Sequence, residues 1–124
     1  MKRSVVCSAV VLICLALALP VMAQNGSEIV IEGNLLTAGC YLKHDTWGKE
    51  KHKECSERCT SQGIPAGILT AEKKFVPLMV PVPKLAGYME ETVRATGRMK
   101  SGMLLVERLE VKTADGWKLT DAKF

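Results

Sequence analysis

Two cysteine motifs are missing from this chain. It has no C-x-x-C, which excludes a thioredoxin-like dithiol, and no C-x-x-C-H, which excludes haem attachment of the c type. No cysteine or histidine spacing matches a standard zinc finger. Internal repeats, low-complexity tracts and linkers are also missing, so nothing divides the chain into several domains. A large excess of one charge is lacking as well. The formal net charge is +4, and the first 23 residues hold two of the 17 basic groups and none of the 13 acidic ones, which leaves +2 beyond them. Such a balance gives no nucleic-acid footprint.

Long apolar runs occur only at the start. Lys2 and Arg3 precede an apolar run from Val5 to Leu19, Pro20 breaks it, and Val21-Met22-Ala23 has the small-x-Ala form of a cleavage site. The run is shorter than the roughly 18 residues a spanning helix needs. Residues 1–23 therefore read as a signal peptide, with no stable membrane anchor after cleavage. Ile13 before Cys14 is too bulky for a lipidation site. The expectation is an exported protein, periplasmic or extracellular, whose residues 24–124 make one small Cys/His-containing domain with a modest core. Cys7 and Cys14 leave with the leader, and Cys40, Cys55 and Cys59 remain.

The mature chain reads as mainly β with one inserted helix. "EIVIEG" alternates Ile29 and Ile31 against Glu28 and Glu32, the pattern of a half-buried strand running to about Leu36. "AGILT" and "FVPLMV" predict two more strands, with Pro77 marking an edge position or a bulge. "PVPKLAGYM" predicts a turn with one short helix. In "ETVRATGRMKSGMLLVERLEV" two strands flank an "SG" turn. The second changes parity between Val106 and Leu109, which predicts a bulge near Glu107. "GWKLTDAKF" offers a last strand. Five or six short strands, an early helix and a bend at Gly97 predict a small barrel of the oligonucleotide/oligosaccharide-binding (OB) type. An open α+β sheet is the alternative.

From about Thr46 to Gln62 the chain is polar, proline-free and helix-favouring, with Gly63 and Pro65 as stop signals. No Leu, Ile, Val, Phe or Met lies between Lys49 and Gln62. His52, Cys55 and Cys59 fall within about 60° of one another on an ideal helix. With charged residues around the rest, this stripe is expected to face the protein body. A helix so poor in apolar area needs another tie, a disulfide or a metal.

Cys40, His52, Cys55 and Cys59 form a Cys3His set suited to zinc, and soft thiolates also suit Cu(I). His44 is a substitute ligand or a supporting group. An oxidising compartment favours a disulfide instead. A Cys55–Cys59 bridge is disfavoured, because i,i+4 Cβ atoms start about 5–6 Å apart and a bridge wants roughly 3.8 Å. Cys40–Cys55 or Cys40–Cys59 remains open, worth roughly 3 kcal/mol in the chain-entropy model, with one thiol spare. Lys51, Lys53, Arg58 and His52 make the surroundings basic enough to keep thiol redox chemistry as a third reading. No acid–base partner set accompanies the thiols, which points to binding rather than catalysis. Trp47 reads as a packing staple, Trp117 and Phe124 as core or edge cover, and Arg94, Arg98 and Lys100 as a solvated strand face.

The segments "GCYLK", "KHKECSERC", "GIPAGILT" and "VRATGRM" together resemble a group of small exported, largely uncharacterised bacterial proteins. The resemblance runs over most of residues 29–111. It implies a strand ending in Cys-Tyr-Leu, a Lys-His-x-x-Cys-x-x-x-Cys helix and an OB-like barrel. It also implies that Cys40, His52, Cys55 and Cys59 act as one constellation, with a metal or an exported redox protein as partner.

Expression with export should yield a chain beginning at Gln24. Intact mass spectrometry reads this directly, and a retained leader would overturn the signal-peptide reading.

Overall fold

The computed structural model describes residues 26–43 and 50–124. The expected leader, His44, Trp47 and the expected helix start at Thr46 lie outside the described residues. In chain order the elements are β1 (Ile29–Thr37), α1 (Ala38–Lys43), α2 (Glu50–Ser61), β2 (Ala66–Leu69), β3 (Phe75–Met79), a 3-10 helix (Val82–Tyr88), β4 (Thr92–Lys100), β5 (Met103–Thr113) and β6 (Gly116–Leu119).

The strands pair in the order β3-β2-β1-β4-β5-β6, and β3 also pairs with β5. All of these pairings are antiparallel except the short β3–β5 contact, Leu78 with Leu104 and Met79 with Leu105, which is parallel. That contact closes β1, β2, β3, β5 and β4 into an uneven five-strand ring, so the open-sheet alternative does not hold. Pro77 lies just before the β3–β5 contact begins, where β3 is still an edge on that side.

The inside of the ring holds the main core. Leu35, Ile68, Val93, Leu104, Val106 and Leu109 are fully buried there, and Leu85 and Met89 cap it from the segment between β3 and β4. The alternation read in β1 is observed. Ile29 and Ile31 pack against this core, while Glu32 faces out and accepts a bond from Arg94 Nε at 2.7 Å. Leu36 points to the opposite side and forms a second, smaller cluster with Cys40 and Leu69, against which Tyr41 and Phe75 pack. The Tyr41 and Phe75 rings stack with centroids 4.7 Å apart.

The parity change in β5 has the expected cause. Thr96 faces Arg108 and Gly97 faces Val106, so Glu107 is the extra residue of a bulge. Gly97 sits at this bend with the Leu105 carbonyl oxygen pressed against its α-carbon, where a Cβ would overlap it. The "SG" turn is made by Ser101 (φ 51°) and Gly102 (φ 78°).

Two expectations change, the strand end and Phe124, and the one for Trp117 narrows. The strand does not end in Cys-Tyr-Leu; it stops at Thr37, and Cys40, Tyr41 and Leu42 belong to α1. Thr37 is the reason, because its hydroxyl accepts the Cys40 amide proton at 3.2 Å and caps the helix. Trp117 is edge cover, lying under the Arg94 guanidinium at 4.1 Å. Phe124 is neither core nor cover, since it is 73% exposed.

Gly97→Ala should lower stability by about 1–3 kcal/mol, the usual cost of overpacking. A urea titration checks it. An unchanged midpoint would show that the bend tolerates a side chain.

Candidate functional site

The candidate site lies where α1 and α2 meet over β1. The helical sequence of α2 docks through Ser56 and Thr60, both fully buried, and not through the expected stripe. Cys55 is exposed and Cys59 half-buried. The helix is therefore turned by roughly 90° from the expected orientation. Small side chains explain the turn. Ser56 and Thr60 are spaced i,i+4 and let α2 approach closely, and both hydroxyls are satisfied. Thr60 Oγ1 donates to the Ser56 carbonyl at 2.6 Å. Ser56 Oγ donates to Glu90 Oε1 at 2.7 Å.

Glu90 is held for this task by the backbone. It adopts a left-handed conformation (φ 65°). Its amide donates to the Leu35 carbonyl at 2.7 Å, and the Leu35 amide donates to the Glu91 carbonyl at 2.9 Å. The carboxylate also accepts from Asn34 Nδ2 at 3.3 Å through its other oxygen. One turn earlier on α2, Lys53 Nζ pairs with Glu91 Oε1 at 2.9 Å. Both of those side chains are partly solvated, so the pair is worth about 0–1 kcal/mol. At the far end of α2, Gly63 (φ 79°) stops the helix and the Ile64 amide donates to the Cys59 carbonyl. The Ala38 amide then donates to the Pro65 carbonyl at 2.8 Å, joining α1 to the entrance of β2.

Cys40 completes the arrangement from the other side. It is 3% exposed, and its Sγ touches Ser56 Oγ at 3.2 Å. Because the Ser56 proton goes to Glu90, the Cys40 thiol is the donor in that contact. On the surface of α2, Ser56 is bordered by Cys55 beside it and by Cys59 a turn later. The three thiols are neighbours. The Cys55 thiol is raised above its ordinary value, first by desolvation, then by the charges of Cys40 and Cys59 and by hydrogen bonding with both.

Three of the four expected site residues thus come together, Cys40, Cys55 and Cys59. His52 lies in the first turn of α2, half-buried with its Nε2 atom buried. It is not among the groups that perturb Cys55. All three cysteines are free thiols. Among the described residues, no group of three His, Cys, Asp or Glu side chains is already arranged to hold a metal ion. The thiols would have to rotate toward a common centre to bind one.

Sequence reasoning missed Ser56, Thr60, Glu90 and Asn34. The signal for the first two was present, as small uncharged residues at i,i+4 beside the cysteines. For Glu90 there was none, since it lies 34 residues from Ser56. The basic strand face is neutralised locally, with Arg94 on Glu32 and Arg98 on Glu107. No described helix is long and apolar enough to cross a membrane. No family model matches the chain, and no similar protein was found among the curated proteins or the solved structures.

Two outcomes are expected. Ser56→Ala should cost about 1–3 kcal/mol in urea unfolding, because the buried Cys40 thiol and the half-buried Glu90 carboxylate lose their shared partner. A smaller loss would mean that water replaces the hydroxyl. Alkylation of Cys55 by iodoacetamide should rise with pH around a midpoint above that of free cysteine. The midpoint should fall in Cys59→Ser, since one source of the upward shift is removed. A midpoint that stays put would show that Cys59 does not act on Cys55.

Proposed function

We propose that this is an exported, non-enzymatic protein that binds a soft metal ion, zinc or Cu(I), through Cys40, Cys55 and Cys59. The observation that carries this reading is the meeting of three thiols at the contact of α1 with α2. Burial raises Cys55 first, and repulsion from ionised Cys40 and Cys59 raises it further. A cation placed among them would remove that repulsion and stabilise all three as thiolates. Cu(I) is satisfied by thiolates alone. Zinc takes four ligands, and His52 is the fourth in that case. The metal would clasp an almost wholly polar helix to α1.

The scaffold fits a binding role. The ring order β1-β2-β3-β5-β4, closed by the parallel β3–β5 contact and bent at Gly97 and Glu107, is the reason we read it as an OB-like barrel. Membership of the exported bacterial group suggested by "GCYLK" and "KHKECSERC" belongs to the same proposal. The partner would be the metal itself or an exported redox protein that depends on it. A non-enzymatic role belongs to this proposal because, among the described residues, no His, Asp, Glu or Lys is among the groups that act on Cys55.

Native mass spectrometry of protein exported by the cell and purified without chelator or reductant tests the reading. One metal ion per chain, lost on acidification and absent from Cys55→Ser, is expected. Full metal content in Cys55→Ser would overturn the ligand set. A reduced wild-type chain that takes up neither Zn2+ nor Cu(I) would overturn the function.

A further inference from the structure

Of the three thiols, only one is well placed to meet another molecule. Cys55 is exposed, Cys59 half-buried and Cys40 sealed beneath α2. Yet Cys40 is the thiol that reaches across from α1. Its Sγ rests on α2 at Ser56, the residue next to Cys55, at 3.2 Å. The pair therefore joins an accessible sulfur to a buried one across two different helices. Cys59 differs. It shares α2 with Cys55, where the i,i+4 separation of about 5–6 Å at Cβ exceeds the roughly 3.8 Å that a disulfide needs.

We infer that the thiol cluster is a redox site in which Cys55 reacts first with a small external disulfide and Cys40 then closes a Cys40–Cys55 bond. This rests on the metal reading only where it concerns occupancy: closure consumes two of the three proposed ligands, so the oxidised protein holds no metal. The co-reactant is a low-molecular-weight disulfide of the glutathione-disulfide class. In the first step the Cys55 sulfur bonds to one sulfur of that molecule, the S–S bond breaks, and the leaving thiol takes the Cys55 proton. In the second step the Cys40 sulfur displaces the remaining thiol from Cys55, and that thiol takes the Cys40 proton. Two protein thiols are oxidised by two electrons, and one external disulfide is reduced to two thiols.

The order follows from access. Cys40 is 3% exposed and lies against α2 at Ser56, out of reach of a tripeptide-sized disulfide, whereas Cys55 is exposed. Cys40 attacks Cys55 from within the helix contact, where its Sγ already rests against Ser56, the residue next to Cys55. Ser56 then keeps its bond to Glu90, so closure need not disturb the seat of α2. Cys59 is left as the free thiol.

The test is oxidation of the reduced, metal-free protein with oxidised glutathione, followed by alkylation and peptide mapping. The expected product is lighter by two hydrogens, carries a Cys40–Cys55 link and is alkylated at Cys59. Cys59→Ser should close in the same way. Cys40→Ser should stall with glutathione on Cys55; because that variant loses a buried thiol, the wild-type map is the deciding measurement. A Cys40–Cys59 or Cys55–Cys59 link, or glutathione retained on the wild-type chain, would overturn the inference. In a second arm, reduced and oxidised protein are each offered one equivalent of Zn2+ and, separately, of Cu(I) under anaerobic conditions. Metal bound by the reduced form alone is expected. Equal binding by both forms overturns the claim of exclusion. Binding by neither overturns the metal function and leaves the disulfide chemistry decided by the map.

Discussion

The bond from Ser56 to Glu90 carries more of this architecture than its single hydrogen suggests. α2 has no large apolar side chain with which to dock, so it lacks the burial that seats most helices on a sheet. It is held instead by a hydroxyl that reaches a carboxylate fixed by main-chain bonds to β1. A charge-assisted bond of this kind is stronger than one between neutral groups, and its geometry is specific. It also sets the rotation of the helix, and the rotation decides which cysteine is exposed and which is covered. Substituting a larger apolar residue at Ser56 would hold α2 farther from Cys40 and separate the thiols.

The β-framework was legible because its signals are local. Alternation in "EIVIEG" placed Ile29 and Ile31 inward, the parity change in β5 placed the bulge at Glu107, and "SG" placed the hairpin turn. Each of these depends on residues within one or two strands of each other. Closure of the ring was also anticipated, although the β3–β5 contact that achieves it involves only Leu78–Leu104 and Met79–Leu105. The helix rotation was not legible. The charge pattern points to a stripe of His52, Cys55 and Cys59 and gives no weight to the uncharged Ser56 and Thr60 beside it. Choosing the side that faces inward requires knowing that Glu90 waits beneath Ser56, a contact made across 34 residues by a residue with φ 65°. The placement of Cys40 in α1 was missed for a simpler reason. The resemblance carries the strand on to Cys-Tyr-Leu, whereas the side chain of Thr37, the last strand residue, caps a helix that begins at Ala38.

The same contrast separates the two parts of the molecule physically. The ring is stabilised by ordinary burial, and its fully enclosed Leu35, Ile68, Leu104 and Leu109 do not depend on any ligand. The α1–α2 corner rests on the small cluster of Leu36, Cys40 and Leu69, with Tyr41 and Phe75 packed on it, and α2 also lies against the 3-10 helix. Its remaining stability comes from hydrogen bonds, a partly solvated ion pair and the state of three sulfurs. A rigid ring therefore carries a corner whose free energy is set largely by chemistry at the thiols.

This division bears on what a bound metal or a disulfide could do to the protein. Either one would link α1 to α2 and act on the corner, because the ring already closes through its own strand pairing. The two links are not equivalent. A metal would draw in Cys59 and, for zinc, His52, and so would hold α2 along more than one turn. A Cys40–Cys55 bond would hold α2 at a single point, next to the Ser56–Glu90 contact that already fixes it there. The C-terminal half of α2 would then be seated by the burial of Thr60 and by the turn at Gly63. Oxidation and metal binding would thus leave the same helix anchored at different places on an unchanged ring, and a partner that touches the Cys59 end of α2 would meet two different surfaces.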